Sequence, residues 1–267
     1  GAAPPDVAFP AALEAAKRAL ELDSSNAEAI SVQGTVALWY EWDYPRAETL
    51  LKRSISIDST YGDSHLFLGI LYSVLGRPED AIEEVRMARR VDSNFAQARA
   101  MEGLFLYKAR RYADAIQHLN IVVNEMDPNL WTAIVFRADT LLALGHFDEA
   151  LKDIERVLAL RPNPVTVSFK AYALAVMHRT AEAEAVLEQV PATAPFQRAL
   201  VLHALGRNDA ALDQLRLAVD QRATHVSGLG VDPKWDALRR SEAFRQLAKR
   251  ANLLEVSDRI ADRYGVK

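Results

Sequence analysis

The chain has 267 residues, half of them hydrophobic and a quarter charged, the balance of a soluble folded chain. Its formal net charge of −4 argues against a surface that holds nucleic acid or anionic membranes by neutralising phosphates, and leaves room only for a local basic patch. The absence of cysteine excludes a disulfide framework, a zinc ribbon and a thiol nucleophile, and leaves the redox compartment open.

In chain order, the opening GAAPPDVAFPAALEAA lacks the basic n-region and continuous apolar core of a signal peptide, and no apolar run is long enough to cross a bilayer. The expectation is a soluble, cytoplasmic chain without membrane contact. Gly1 with no Met ahead of it implies trimming, with room for a signal, a span or a further domain upstream. A leading helix is predicted from about Ala11 to Leu22, ending at the turn signal LDSSN over 22–26.

The segments VQGTVALWY, FLGILYSVLGRPEDAI, MEGLFLYKARRYADAI, FRADTLLALGHFDEAL, FKAYALAVMHRTAEAEA and RALVLHALGRNDAAL then repeat one pattern. Small residues recur at Gly34, Gly69, Gly103, Ala138 and Ala171, 33 to 35 positions apart, and again at Ala47, Ala81, Ala115, Ala150 and Ala183. Two small positions per period predict two helices that approach closely. Between them lies a turn such as Leu75-Gly76-Arg77-Pro78, where Gly supplies the C-cap and Asp or Glu follows in the next helix's first turn. Exit signals follow at IDSTY 57–61, VDSNF 91–95 and LRPNP 160–164. The fifth unit departs from the pattern. His178 stands where the turn glycine belongs, only 28 residues separate Ala183 from Ala211, and PATAPFQ over 191–197 must hold a clipped helix and a Pro-bounded turn.

On these landmarks the chain resembles the tetratricopeptide repeat family. The resemblance implies an all-α fold, an α-α superhelix of antiparallel helix pairs. The expected layout is a leading linker and helix over 1–26, six units at 27–61, 62–95, 96–130, 131–163, 164–191 and 192–225, and C-terminal capping helices over 226–267. Two segments, ALWYEWDYPRAETLLKRSISID and VDPKWDALRRSEAFRQLAKRANL, are further similar to the first and last units of such arrays behind the winged-helix domains of ToxR/CadC-like bacterial transcriptional regulators, and behind some bacterial kinase and class III cyclase domains. That likeness implies an interaction or sensing role and no activity.

Over residues 37–48 the first unit carries four aromatics, Trp39, Tyr40, Trp42 and Tyr44, and the unit has one residue more than the second between its small positions. Asp43 is a predicted N-cap, with Pro45 tolerated in the first turn. The rings are expected to plug the gap that the longer turn opens over the leading helix. The other reading, a cage, requires a cation.

Catalytic patterns are scarce. The six histidines, His65, His118, His146, His178, His203 and His225, include no pair four apart on one helix, so no metal face forms and no cofactor is expected. Asp63-Ser64-His65 is a helix start and not a convergent triad. GLGVDP over 228–233 lacks the third glycine and preceding strand of a dinucleotide fingerprint. Glu83-Glu84 and Asp148-Glu149 suit helix N-termini. Arg89, Arg90, Arg110 and Arg111 sit near helix ends and form the one candidate basic patch, while direct nucleic-acid binding is not expected.

In the family, positions five and nine of each unit line the concave surface. The resemblance places Ser31 and Thr35, Leu66 and Ile70, Ala100 and Leu104, Val135 and Asp139, Ser168 and Tyr172, then Phe196 and Leu200 there. This apolar set, without the Asn and Lys of carboxylate clamps, suggests an amphipathic helix or apolar peptide of a partner protein. The alternative is a structural homodimer that buries the same surface. From Asp232 onward, Phe244, Leu247, Leu253, Leu254 and Ile260 have amphipathic helical spacing, read as a cap and alternatively as a dimer contact. A non-enzymatic interaction module is therefore the predicted function.

Overall fold

The computed structural model describes residues 4–266, in which regular structure is helical throughout. The chain divides into two compact units. One joins the chain up to Ala98 with the chain from Val219 onward, and the other is Arg99–Ala218. The outermost residues of the 1–26 and 226–267 ranges, 1–3 and 267, lie outside the described residues.

In the discontinuous unit, α1 (Pro5–Leu22) packs on α2 (Ala27–Val36), which pairs with α3 (Tyr44–Ile57), followed by the pair α4 (Gly62–Val74) and α5 (Pro78–Val91). α1 starts six residues before the Ala11 expected from the sequence. Pro5 takes the first helical position, where its missing amide costs nothing, and the Pro4 carbonyl accepts from Val7 and Ala8. Pro10 therefore lies within the helix.

The small residues lie where the helices touch. Ala47 and Ala81 are fully buried, and a Cβ on Gly34 or Gly69 would stand 2.8 Å from Leu51 Cγ or 3.0 Å from the Ala81 carbonyl. The extra residue of the first unit is absorbed as a π-helical turn, Ala37–Glu41, closed by Trp42 in the left-handed region at φ 57°. Asp43 then caps α3 by accepting from the Arg46 amide at 3.1 Å.

The C-terminal part of this unit begins with 3-10 turns over Thr224–Gly228 and Pro233–Leu238. The amphipathic stretch from Phe244 to Ile260 forms two helices, α14 (Glu242–Arg250) and α15 (Leu254–Arg263). Asn252 at φ 57° breaks it, and the break lets Phe244, Leu247, Leu253 and Ile260 all be buried. GLGVDP wraps a guanidinium. Arg239, fully buried, donates to the carbonyls of Leu229 (2.8 Å), Gly230 (2.9 Å) and Asp232 (2.6 Å) and to Asp236 Oδ1 (2.7 Å).

The contiguous unit contains α6 (Ala96–Lys108, entering from the preceding segment), α7 (Tyr112–Ile121) with a π-helical end Val122–Met126, α8 (Trp131–Ala143), α9 (Phe147–Leu160), α10 (Pro164–Val176), α11 (Thr180–Leu187), α12 (Pro195–Ala204) and α13 (Asn208–Asp220, whose last two residues belong to the other unit). Ala115, Ala150, Ala171 and Ala183 are fully buried, and a Cβ on Gly103 would meet Leu119 Cγ at 2.6 Å. The shortening between Ala183 and Ala211 falls on α11, which has eight residues, and on α12, which has ten.

Turns between paired helices share one geometry. In each pair after the first, whose turn is the π-helical one, a left-handed residue donates to the carbonyl three back, and the next residue to the carbonyl five back, as in Arg77 to Tyr72 and Arg179 to Leu174, both at 2.9 Å. Gly76, Gly145 and Gly206 occupy the left-handed position, and so do Arg110 (φ 58°) and His178 (φ 59°). The following residue reaches the first-turn acid: Arg77 to Asp80, Arg111 to Asp114, Arg179 to Glu182.

Candidate functional site

The twelve residues expected on the inner surface divide between the units, Ser31, Thr35, Leu66 and Ile70 in one and the remaining eight in the other. Within each pair exposure alternates. Ser31, Leu66, Ala100, Val135 and Ser168, all at position five, are buried, whereas Thr35, Ile70, Leu104, Asp139 and Tyr172, at position nine, are half-buried. In the last pair the order reverses: Phe196 is half-buried and Leu200 buried, because the clipped fifth unit shifts the register. The large exposed apolar side chains, among them Ile57, Val91 and Leu160, stand at helix ends and include none of the twelve. Within each unit, the expected apolar residues are therefore half-open only at position nine, and in the last pair only at Phe196. Tyr172 also packs against the Leu141, Leu142 and Ile154 core, so part of its ring is structural.

The aromatic residues pack. Trp42 and Tyr44 are buried, Tyr40 stacks on Phe9 of α1 at 5.4 Å between centroids, and Trp39 meets Phe67 edge-on at 5.5 Å. The cation that a cage would need is the chain's own. Arg222 lies over Trp42 (4.9 Å) and Tyr40 (5.6 Å) and donates to the Tyr40 carbonyl.

Histidines and the Asp63-Ser64-His65 run are placed as helix partners. Ser64 Oγ meets Ser54 Oγ at 2.7 Å, while the His65 ring meets Glu84 at 2.8 Å, so the two side chains serve different contacts. His118 faces the buried Glu102 at 3.3 Å, and His203 bonds Asn208 at 2.8 Å. One unit later, the positions of Glu102 and His118 hold Arg137 and Asp153, a bidentate pair at 2.6 and 2.7 Å. In the basic stretches, Arg90 lies 3.9 Å from Glu83 and Arg111 2.8 Å from Asp114.

The sequence did not reveal a cleft of about 1430 Å³ in the discontinuous unit. One wall is the start of α3 and the α4–α5 turn, the other the end of α14 and α15. The first wall carries Asp43, Glu48, Glu79 and Asp80 against Arg77, and the second carries Lys249, Arg259 and Arg263 against Glu255. Its floor is tied by Tyr44, whose hydroxyl donates to the Ala251 carbonyl at 2.9 Å, and by Asn252, which donates to the Trp42 carbonyl at 3.1 Å. Burial pushes the Tyr44 phenol well up, so it stays a donor. Hydrogen bonding from Lys52 holds the Glu48 carboxyl below its usual range. Arg259 and Arg263 donate to the carbonyls of Leu75 and Gly76, at 2.6 and 3.4 Å, where α4 ends and positive charge is favourable.

Residues 66–130 and 141–207 each match the family described as Tetratricopeptide repeat. The chain is a tetratricopeptide repeat protein. Tetratricopeptide repeats make it a protein-interaction module, and its fold is the all-α solenoid type built of antiparallel helix pairs. It is 25% identical over 171 residues to the DnaJ homolog subfamily C member 7 homolog of Dictyostelium discoideum, covering 58% of this chain and 31% of that one. It is 23% identical over 158 residues to Anaphase-promoting complex subunit 3 of Schizosaccharomyces pombe, covering 59% and 24%. The chain thus spans less than a third of the curated relatives it matches. Among solved structures, a tetratricopeptide repeat protein from Parabacteroides merdae superposes with a TM-score of 0.61 at 17% identity, covering 91% of this chain and 92% of that one. Among the described residues of the repeat protein, no helix is long and apolar enough to cross a membrane, and no cluster of His, Asp and Glu has a metal-binding arrangement.

Proposed function

We propose that this tetratricopeptide repeat chain is a non-enzymatic module that binds a peptide or helix of a partner protein through first-helix side chains at position nine. The observation that carries this reading is the half-open row Leu104, Asp139 and Tyr172 in the contiguous unit, joined by Phe196, at family binding positions that core packing has not fully consumed. Thr35 and Ile70 are the equivalents in the other unit.

The regulatory context we propose is the sensory or assembly region of a bacterial transcriptional regulator. Its support is the resemblance of the first-unit and C-terminal segments to such arrays. These two segments meet in the discontinuous unit through the Tyr44–Ala251 and Asn252–Trp42 hydrogen bonds.

A photo-reactive phenylalanine analogue at position 172, with light scattering over a hundredfold concentration range, tests the binding mode. Crosslinking to a segment of another protein supports it. Crosslinking to a second copy, with a dimer at every concentration, replaces it by self-association, and no crosslink at 172 or at 104 overturns both.

A further inference from the structure

We propose that the cleft between the α4–α5 turn and α15 takes an extended peptide segment in which cationic and anionic side chains alternate. The cleft uses none of the position-nine residues, so this proposal stands apart from the binding mode above. Its volume of about 1430 Å³ exceeds the roughly 300–1000 Å³ of small-ligand pockets, which favours a chain segment over a metabolite.

The partner's chemistry follows from the charge of the walls. One wall sets four carboxylates against Arg77, which pairs with Asp80 at 2.7 Å, and Lys52, which pairs with Glu48 at 2.7 Å, leaving it net acidic, and the facing wall sets three cations against a single carboxylate. Arg259 and Arg263 are held by backbone carbonyls rather than by carboxylates, so their positions are fixed without a counter-ion, and each guanidinium keeps further donors. Lys249 is exposed. Across the cleft, the Glu48 carboxyl is kept ionised by Lys52 and the Tyr72 hydroxyl.

An extended chain sends successive side chains to opposite sides, so alternating signs deliver every cation to the acidic wall and every anion to the basic wall. In a helix, successive residues turn by about 100°, and the same alternation would mix both signs on each face. Trp42, Tyr44, Leu75 and Val256 add apolar surface to the cleft, against which the backbone of an extended peptide would lie.

Three peptides of four lysines and four glutamates separate the alternatives: one alternating, one with lysines and glutamates in two blocks, and one with the signs on opposite helical faces. Each is titrated calorimetrically into the full chain at low salt. The proposal expects the alternating peptide to bind at least tenfold more tightly than either control, and Lys249→Glu to weaken it about tenfold with unchanged circular dichroism. Glu79→Lys, on the opposite wall, is expected to do the same. Equal affinities, preference for the block or helical-face peptide, absence of binding, or affinity indifferent to both substitutions would overturn it.

Discussion

The two units solve the same packing problem in different ways. In Arg99–Ala218, helices pack on their neighbours in sequence, and buried small residues such as Ala115, Ala150, Ala171 and Ala183 let them approach. The other unit is made of segments more than a hundred residues apart, joined by polar contacts: Tyr44 to Ala251, Asn252 to Trp42, Arg222 to Tyr40 and Arg259 to Leu75. Periodic burial is enough where neighbours are adjacent in the chain. Closure over a long separation requires directional bonds that fix one register.

The largest expected effect breaks the closure from within. Arg239→Met leaves the carbonyls of Leu229, Gly230 and Asp232 buried without their donor, and costs about 3–5 kcal/mol. Denaturant unfolding followed by near-ultraviolet circular dichroism should show the Trp235 and Trp42 signals lost early while the contiguous unit persists. An unshifted transition would refute the contribution of Arg239, and a single transition shared by all signals would refute the early loss. Ala81→Leu comes next, at about 1–3 kcal/mol, since this fully buried position faces Gly69 across the α4–α5 contact; unchanged melting would refute the helix register.

Smaller still, Tyr44→Phe removes one buried hydrogen bond, about 1 kcal/mol. Hydrogen exchange should speed up around Ala251 and the start of α3 and stay unchanged in residues 131–187. The contiguous unit can instead be improved. His178 holds a left-handed conformation that costs an L-residue about 1–2 kcal/mol. Glycine's own entropy cost of about 0.5–1 kcal/mol offsets part of this, so His178→Gly should stabilise by about 0.5–1 kcal/mol. A lower melting temperature would mean that the imidazole contributes more than its backbone strain costs.

The smallest effect concerns the exit turns. Thr60 donates to Asp58 from both hydroxyl and amide, which holds that carboxyl below the usual aspartate range. Because the folded value is depressed, the contribution to stability is present at neutral pH and is lost as pH falls through the lowered value. A carboxyl carbon titration that places Asp58 at or above ordinary aspartate would remove it.

Much of the fold was legible because it is local. The spacing of Gly34, Gly69 and Gly103 against Ala47, Ala81 and Ala115 encodes helix contacts between chain neighbours, and the exits at Asp23, Asp58 and Asp92 form the same side-chain-to-amide turn each time. The extra residue in WYEWDYP was legible as an insertion but not as a π-helical turn, since either a loop or a widened helix absorbs one residue. Inner-surface exposure was only half legible: family positions name residues that face inward and do not tell how far Ser31 or Ala100 sinks beneath its neighbours. The cleft was not legible, because its walls are separated by well over a hundred residues and no periodicity links Arg259 to Leu75.

The discontinuous unit also sets an order of events during synthesis. Its early helices emerge first and lack Arg222, Arg239 and Asn252 until the intervening stretch, Arg99–Ala218, has been made. At roughly 5–20 residues per second, those residues take on the order of ten seconds to translate. During that interval Trp42 and Tyr44 lack the C-terminal partners they have in the folded chain, and the contiguous unit is complete before the one that contains the start of the chain.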